Sequence, residues 1–212
     1  MTLHYQDIEK NFIPQILEEI YVRKVYDPIL QGKKDLVILD LGANIGLFSL
    51  YAAKFAQKVI SVEPASSIYE YLVKNTENEH NIYPIQAAVG AENGSLELFG
   101  SDVNLTMFSA HKVGIHNEKS EKVKQIGLQT LLDLHSLTHV DFMKLDIEGS
   151  EFEVLSSDEF IKAAPKIDII MGEIHPWTGR NPQQCVQALE EAGFSVEILS
   201  QSPILFLARR SK

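Results

Sequence analysis

Cysteine, tryptophan and long apolar runs are all scarce in this 212-residue chain. The single cysteine, Cys185, excludes an intramolecular disulfide and favours a reducing compartment. The most apolar stretch, residues 36–56, is interrupted by Asp40 and Lys54, so it predicts no transmembrane helix. The amino-terminal sequence MTLHYQDIEK carries early charges and lacks the basic start and apolar run of a secretory signal. We therefore expect a cytoplasmic protein with no membrane partner.

Basic residues are also in deficit. Lys and Arg number 19 against 29 Asp and Glu, which gives a net charge of −10. Such a charge opposes broad binding to nucleic-acid phosphates or anionic lipids, so we expect no nucleic-acid partner. The composition, 45% hydrophobic and 23% charged, is that of an ordinary globular domain. A chain of this length can bury a full core without disulfides or structural metal, and nothing in it sets the oligomeric state.

Short β-branched runs alternate with segments of helical periodicity, a pattern typical of α/β folds. The candidate strands are 36–40, 59–63, 82–88, 142–146, 168–174, 195–199 and 204–208. Several lack polar alternation, as parallel strands covered on both faces do. Only three residues separate the last two strands, which allows a hairpin but no crossover helix. The sequence therefore predicts a doubly wound, mostly parallel sheet of seven strands with an antiparallel last strand.

Candidate helices connect these strands at 47–56, 67–75, 151–160 and 182–192. The last of them has clear end signals. Asn181 can cap its free amides, Pro182 fits the first helical position and Gly193 supplies a left-handed stop.

Two segments fall outside this pattern. Residues 100–124 are polar, and we predict a loop or lid there. Residues 1–35 have a helical pattern through Phe12, Ile16, Ile20 and Val25, which predicts a segment that covers the site in front of a single domain of residues 36–212. Four residues stand in segments expected to rim an acceptor pocket: His111, His116, Trp177 and Arg180.

The first predicted strand runs directly into LGANIG, a turn in which Gly42 and Gly46 let the backbone approach a ligand. The free amides of the next helix suit a carboxylate. The spacing G-x-x-x-G differs from the G-x-G-x-x-G that seats a pyrophosphate, which makes an NAD(P)-dependent oxidoreductase the weaker alternative. Glu63 follows Gly42 by about 20 residues, the separation at which an acid binds ribose hydroxyls. With Asp40 favouring a cationic amine or sulfonium, the pattern indicates S-adenosylmethionine (SAM).

Four stretches resemble the FkbM family of class I SAM-dependent methyltransferases. They are VILDLGANIGLFSLYAAKFA, VISVEPASSIYEYLVKN, NIYPIQAAVG and FMKLDIEGSEFEVL, the last with its K-x-D-x-E-G-x-E motif. The resemblance implies a Rossmann-like class I methyltransferase fold, SAM as cofactor and O-methylation of a small molecule such as a sugar or other natural product. N-methylation and a SAM-binding domain without catalysis remain alternatives.

The resemblance also implies roles by position. The residues that would surround the methionyl end of SAM are Gly42, Ala43, Asn44 and Gly46. Asp40 would receive the ammonium of SAM, and Glu63 both ribose hydroxyls. The backbone of Ala87 and Ala88 would border the adenine. Asp146 would face the sulfonium and the methyl acceptor.

Methyl transfer to a hydroxyl needs alignment of the reacting atoms and a group that takes the proton. The titratable residues at the predicted mouth are Asp146, Glu148, Glu173 and His175, and all four are candidates for catalysis. His175 is the first choice because an unperturbed imidazole titrates near neutrality. Lys144, inside an apolar strand, needs a partner; we expect a neighbouring strand-end acid such as Glu173, and a structural role for the lysine. Asp146, Glu173 and His175 could alternatively hold a divalent metal, but the resemblance carries none and we expect none.

Overall fold

Two β-sheets organise the chain in the computed structural model, which describes residues 3–5, 13–101, 104–109, 119–176 and 179–211. Within these residues the strands are β1 (Leu36–Leu41), β2 (Ala56–Val62), β3 (Ile82–Ile85), β4 (Ala88–Gly90), β5 (Gly94–Ser101), β6 (Asn104–Ser109), β7 (Lys119–Gly127), β8 (Phe142–Leu145), β9 (Ile169–Ile174), β10 (Phe194–Gln201) and β11 (Ile204–Arg210). The helices are α1 (Ile13–Leu17), which continues as a π-helix (Glu18–Val22), α2 (Asp27–Leu30), α3 (Leu47–Ala52), α4 (Ser66–Thr76), α5 (Leu128–Leu134), α6 (Glu151–Leu155), α7 (Asp158–Ala163) and α8 (Gln183–Glu191), with a 3₁₀ turn at Ala164–Lys166.

The larger sheet has seven strands in the order β10-β11-β9-β8-β1-β2-β3. β1, β2, β3, β8 and β9 pair in parallel, whereas β11 is antiparallel to both β9 and β10. In β1, Leu39 and Leu41 join one apolar core and Leu36 and Ile38 join the other, so both faces of the sheet are covered. The predicted doubly wound fold with an antiparallel last strand is confirmed, and apolar side chains on both faces are its physical cause.

Helix ends differ from the sequence prediction where the chain has little room. The helix expected at 47–56 ends at Ala52, because β2 already begins at Ala56. The helix expected at 151–160 is two helices, and Ser157 caps the second by accepting the amide hydrogen of Phe160. The predicted capping of α8 is present, since Asn181 accepts the amide hydrogen of Gln183 at 3.0 Å.

The smaller sheet corrects the prediction of a loop at 100–124. It has four strands in the order β4-β7-β5-β6, and β5, β6 and β7 include much of that region. In β5, for example, Leu96 and Leu98 alternate with the exposed Glu97. This alternation covers few residues and includes a charge, so it does not stand out in the sequence. The rest of the predicted loop, residues 102–103 and 110–118, lies outside the described residues.

The predicted strand 82–88 is also divided. β3 pairs with β2 in the larger sheet and ends at Ile85, and β4 starts at Ala88 and pairs with β7 in the smaller sheet. The chain therefore changes sheets across two residues. This is the point at which the two sheets meet beside the cavity described below.

The amino-terminal helices pack on the core beneath β1. Ile13, Ile20, Ile29 and Leu30 are buried in the same apolar cluster as Ile38, while Phe12 lies outside the described residues. Among the helices that the structure describes, none combines the length and apolar character needed to cross a membrane.

Candidate active site

A cavity of about 380 Å³ lies at the carboxyl ends of β1, β2, β8 and β9. Open α/β sheets bind ligands at this edge, and the volume is in the range of small-molecule sites. Besides the strand ends, the wall includes Ile16, Glu19 and Ile20 of the amino-terminal segment and Leu96 and Leu98 of β5. Three separate parts of the chain therefore form the wall of the cavity.

The turn after β1 is held tightly between its two neighbouring strands. The amide groups of Gly42 and Ala43 donate to the carbonyl of Val62 at 3.0 and 2.9 Å. Gly42 has a φ of 81°, and a Cβ atom there would lie 1.7 Å from the carbonyl oxygen of Asp146. Only glycine fits this position, because both the left-handed backbone and the close approach exclude a side chain.

The remaining residues of the predicted turn divide into two groups. Gly42, Ala43 and Asn44 line the cavity. Gly46, with a φ of 91°, faces α4 instead, where a Cβ atom would lie 2.8 Å from the Leu72 side chain. Gly46 therefore allows close packing of α3 on α4, and does not contribute to the cavity wall.

Glu63 connects the turn to the end of β2. Its side chain is buried but lines the cavity, and its two oxygens accept the amide hydrogens of Asn44 and Ala65, each at 3.0 Å. Burial raises the pKa of Glu63 to about 7, although these two hydrogen bonds favour the ionised form. The two motifs identified separately in the sequence thus form one rigid unit. On the next strand, Ala87 and Ala88 line the cavity at the junction of the two sheets.

Asp40 lies under the floor of the cavity. It is fully buried, and its Oδ2 accepts a hydrogen bond from the Ser49 hydroxyl at 2.6 Å. Burial raises the pKa of Asp40, while Lys144 and Ser49 oppose this effect. The Asp40 charge therefore reaches the cavity through Lys144, and its carboxylate does not form part of the wall.

Lys144 does not pair with Glu173, so that prediction is wrong. Its Nζ donates to the carbonyl of Gly42 at 3.0 Å and lies 3.3 Å from Asp146 and 3.5 Å from Asp40. The cause is strand order: β8 lies beside β1, with Lys144 directly opposite Asp40 in the register. Burial would lower the pKa of Lys144, but Asp146 and Asp40 outweigh it and raise the pKa.

The four predicted catalytic side chains meet around the imidazole of His175. Its Nε2 lies 3.6 Å from Glu173, 3.7 Å from Glu148 and 3.8 Å from Asp146. Its Nδ1 is 2.9 Å from Oε1 of Glu151, which is fully buried. Since a carboxylate can only accept here, the N–H at Nδ1 is the donor and Nε2 is the atom that faces the cavity acids.

Glu151 is a site residue that sequence reasoning missed. It is the last acid of the K-x-D-x-E-G-x-E motif, but an acid in the first turn of a helix has an ordinary stabilising role, and no site role was predicted for it. In the structure its Oε1 also accepts the amide hydrogens of Ile147 and Gly149, each at 3.2 Å. Glu151 therefore fixes the turn after β8 and the orientation of His175 together.

This cluster retains protons near neutral pH. Burial and the charge of Asp146 raise the pKa of Glu148 to about 8 and that of Glu173 to about 7. Burial would lower the pKa of His175, but the hydrogen bond and charge of Glu151, with Glu148 and Asp146, raise it to about 9. The ligand atoms of Asp146, Glu148 and His175 lie within 4.8 Å of one another, a set that has Glu148 where the metal alternative above had Glu173.

Of the four residues predicted to rim the acceptor pocket, the structure describes only Arg180, and it is not among the residues that line the cavity. Glu19, on the π-helix, lines the cavity, and burial together with Asp146 raises its pKa. No motif marked it. Arg180 forms an ion pair with Glu153 at 2.7 Å, whereas His111, His116 and Trp177 lie outside the described residues.

Comparison with known proteins relates this site to one family. The FkbM methyltransferase domain model matches residues 40–196. The chain is 26% identical over 169 residues to the hexuronic acid methyltransferase AglP of Haloferax volcanii, covering 79% of this chain and 67% of that protein. It is 30% identical over 164 residues to Methyltransferase 1 of Beauveria bassiana, covering 66% of this chain and 65% of the relative. The chain thus spans about two thirds of the length of these two relatives.

A solved structure shows the same fold. Methyltransferase FkbM from Methylobacillus flagellatus superposes with a TM-score of 0.60 at 14% identity, covering 95% of this chain and 48% of the other. At this identity the likeness concerns the fold alone.

Proposed function

Because the chain belongs to the FkbM family and is a SAM-dependent methyltransferase, we propose that it methylates a hydroxyl group of an uncharged, sugar-like small molecule. The observation that carries this proposal is the arrangement of one cavity. One part of its wall is the glycine turn joined to Glu63, and another part is His175 with its carboxylates. The first part suits a nucleoside, and the second suits removal of a proton from an acceptor.

The residues present fit SAM. Glu63 offers a fixed carboxylate for the two ribose hydroxyls, and Ala87 and Ala88 leave space for the adenine. The turn Gly42 to Asn44 would hold the methionyl end, and Asp146 would lie near the sulfonium. Asp40 supports this end through Lys144, in place of the direct contact expected from the sequence. When bound, SAM supplies an electrophilic methyl group.

His175 is the proposed general base. With SAM bound as the methyl donor, Nε2 of His175 would take the proton of the acceptor hydroxyl. With a pKa of about 9 the imidazole is mainly protonated at neutral pH without ligands. A cation placed beside Asp146 would compete with the imidazolium for the same carboxylates and favour the neutral base. Glu151 keeps Nε2 directed toward the cavity.

The acceptor class follows from charge. Glu19, Glu148 and Glu173 all line the cavity, while Lys144 is already paired with Asp40 and Asp146. The pKa values of Glu148 and Glu173 are already raised by burial and by neighbouring acids, so an anionic sugar such as the hexuronic acid named for the Haloferax relative would be repelled increasingly as these groups ionise above neutral pH. We therefore place an uncharged hydroxyl acceptor first. The same acids favour an amine as the second candidate, with N-methylation as the reaction.

Two measurements test the proposal. SAM and S-adenosylhomocysteine should raise the melting temperature, and NAD(P) should not. Labelled SAM is then incubated with matched neutral, amino and uronic sugars, and transfer is followed by mass spectrometry. H175N is the catalytic control, because it should keep S-adenosylhomocysteine binding and lose transfer. Stabilisation by NAD(P) alone, or transfer confined to uronic sugars, would contradict the proposal.

A further inference from the structure

We propose that Lys144 is a positioning residue for the cofactor: it clamps the glycine turn to the end of β8 and thereby sets the place of the methionyl end of SAM. This inference rests on the proposed function. Lys144 was expected to be structural, with a partner on β9, and neither the motif nor the family comparison gives it a role. Its surroundings in the structure do.

Lys144 is enclosed by three acceptors that belong to both sides of the cavity floor. These are the carbonyl of Gly42 at 3.0 Å, Asp146 Oδ2 at 3.3 Å and Asp40 Oδ1 at 3.5 Å. The Gly42 carbonyl accepts a hydrogen bond from the ammonium, whereas the two carboxylates lie at ion-pair distances. The Lys144 side chain is only 11% exposed and lines the cavity, so its charge is balanced by the protein at the edge of the site.

The contacts of Lys144 extend to both parts of the site. The Gly42 carbonyl belongs to the turn whose Asn44 amide hydrogen is accepted by Glu63 at 3.0 Å. On the other side, Lys144 holds Oδ2 of Asp146, and Oδ1 is left toward His175 at 3.8 Å. One ammonium thus contacts both the turn proposed to hold the methionyl end of SAM and the carboxylate proposed to lie near its sulfonium.

Strand pairing explains why this clamp is rigid. Asp40 and Lys144 are register partners on β1 and β8, and the backbones approach so closely at Gly42 that no Cβ atom fits. The side-chain clamp therefore lies where the two strand ends are already in contact. Gly42, Lys144 and Asp146 all contribute to the cavity wall, so a change at Lys144 alters the wall at its own position and also releases the two neighbours that it holds.

Removing Lys144 alone would leave the fully buried Asp40 without its cation, which would destabilise the fold for reasons unrelated to the cofactor. The double variant D40N/K144M removes one charge of each sign and keeps the net charge. D40N is its matched background. K58M is the lysine control, because Lys58 contacts the His135 carbonyl and the Tyr83 ring on a different part of the chain.

The experiment compares two neutral ligands by calorimetry. S-adenosylhomocysteine contains the amino-acid end, and 5′-methylthioadenosine has the same nucleoside thioether without it. D40N/K144M should bind S-adenosylhomocysteine about tenfold more weakly than D40N does, and methylthioadenosine with equal affinity. K58M should bind both as wild type does.

Each other outcome has a defined meaning. Equal weakening of both ligands would reduce Lys144 to a structural role and overturn the inference, as would unchanged affinity for both. If D40N/K144M does not fold, D40N/K144Q is compared with D40N using the same ligand pair, because glutamine keeps a polar group at position 144 without leaving a buried carboxylate at position 40, and the same criteria apply. Failure of wild type to bind either ligand would instead refute the proposed function.

Discussion

Replacing Gly42 with alanine should damage both stability and cofactor binding, by an amount that the structure allows one to work out. A left-handed φ of 81° costs a non-glycine residue about 1–2 kcal/mol. The new Cβ atom would lie 1.7 Å from the Asp146 carbonyl oxygen, where ordinary contacts begin at 3.4 Å, so the two strand ends must move apart. Such overpacking costs about 1–3 kcal/mol more. We expect G42A to lose about 2–5 kcal/mol of unfolding free energy in total.

G32A is the matched control for this prediction. Gly32 has a φ of 78°, but a Cβ atom there would have nothing within 4 Å. G32A should therefore lose only the backbone contribution of about 1–2 kcal/mol and bind S-adenosylhomocysteine as wild type does. Urea denaturation followed by circular dichroism gives the unfolding free energies, and calorimetry gives the affinities. If G42A and G32A were equally stable and bound equally well, the close approach at Asp146 would not constrain the site.

Three further predictions concern the ionisable groups. E63Q keeps the size of the side chain but places an NH₂ group against one of the two backbone amides that now donate to Glu63, and it removes the negative charge. Calorimetry should therefore show S-adenosylhomocysteine affinity reduced about tenfold. Unchanged affinity would remove Glu63 from the ribose site. Wild-type kcat/KM should rise with pH as His175, with a pKa of about 9, loses its proton. E151Q should shift this rise to lower pH, and EDTA should leave it unchanged. A rise that E151Q does not shift would contradict the assignment of His175 as the base. Because the pKa of His175 is raised from 6.5, protonation of His175 stabilises the fold fully below pH 6.5, and this stabilisation is lost as pH rises through about 9. Urea denaturation should therefore show the unfolding free energy falling across that pH range, and the fall should be smaller in H175N.

The parts of the site that follow one another along the chain were predictable from the sequence. β1 and its turn are a single stretch, and the acid at the end of β2 falls at a spacing set by one strand–helix–strand unit. The turn and Glu63 therefore lie in the same cavity, as the sequence predicted. The same local information placed His175 at the end of β9.

Contacts between distant strands were not predictable in the same way. The partner of Lys144 depends on β8 lying next to β1, and their paired residues are separated by about half of the chain. Glu151 reads as an ordinary helix acid until the fold brings the end of β9 against it. The small sheet was missed because charged and polar side chains alternate with the apolar ones along its strands, so the sequence resembles a polar loop.

The change of sheets between Ile85 and Ala88 separates two parts of the cavity wall along the chain. The turn at Gly42 and Glu63, proposed to hold the cofactor, precede this junction, whereas β5, which follows it, contributes Leu96 and Leu98 to the cavity wall. We expect a change in the length of the hairpin of β5 and β6 to alter this part of the wall and to leave Gly42 and Glu63 in place. Related enzymes that share the cofactor machinery can thus diverge in acceptor through an insertion at one site, with no rebuilding of the parallel sheet.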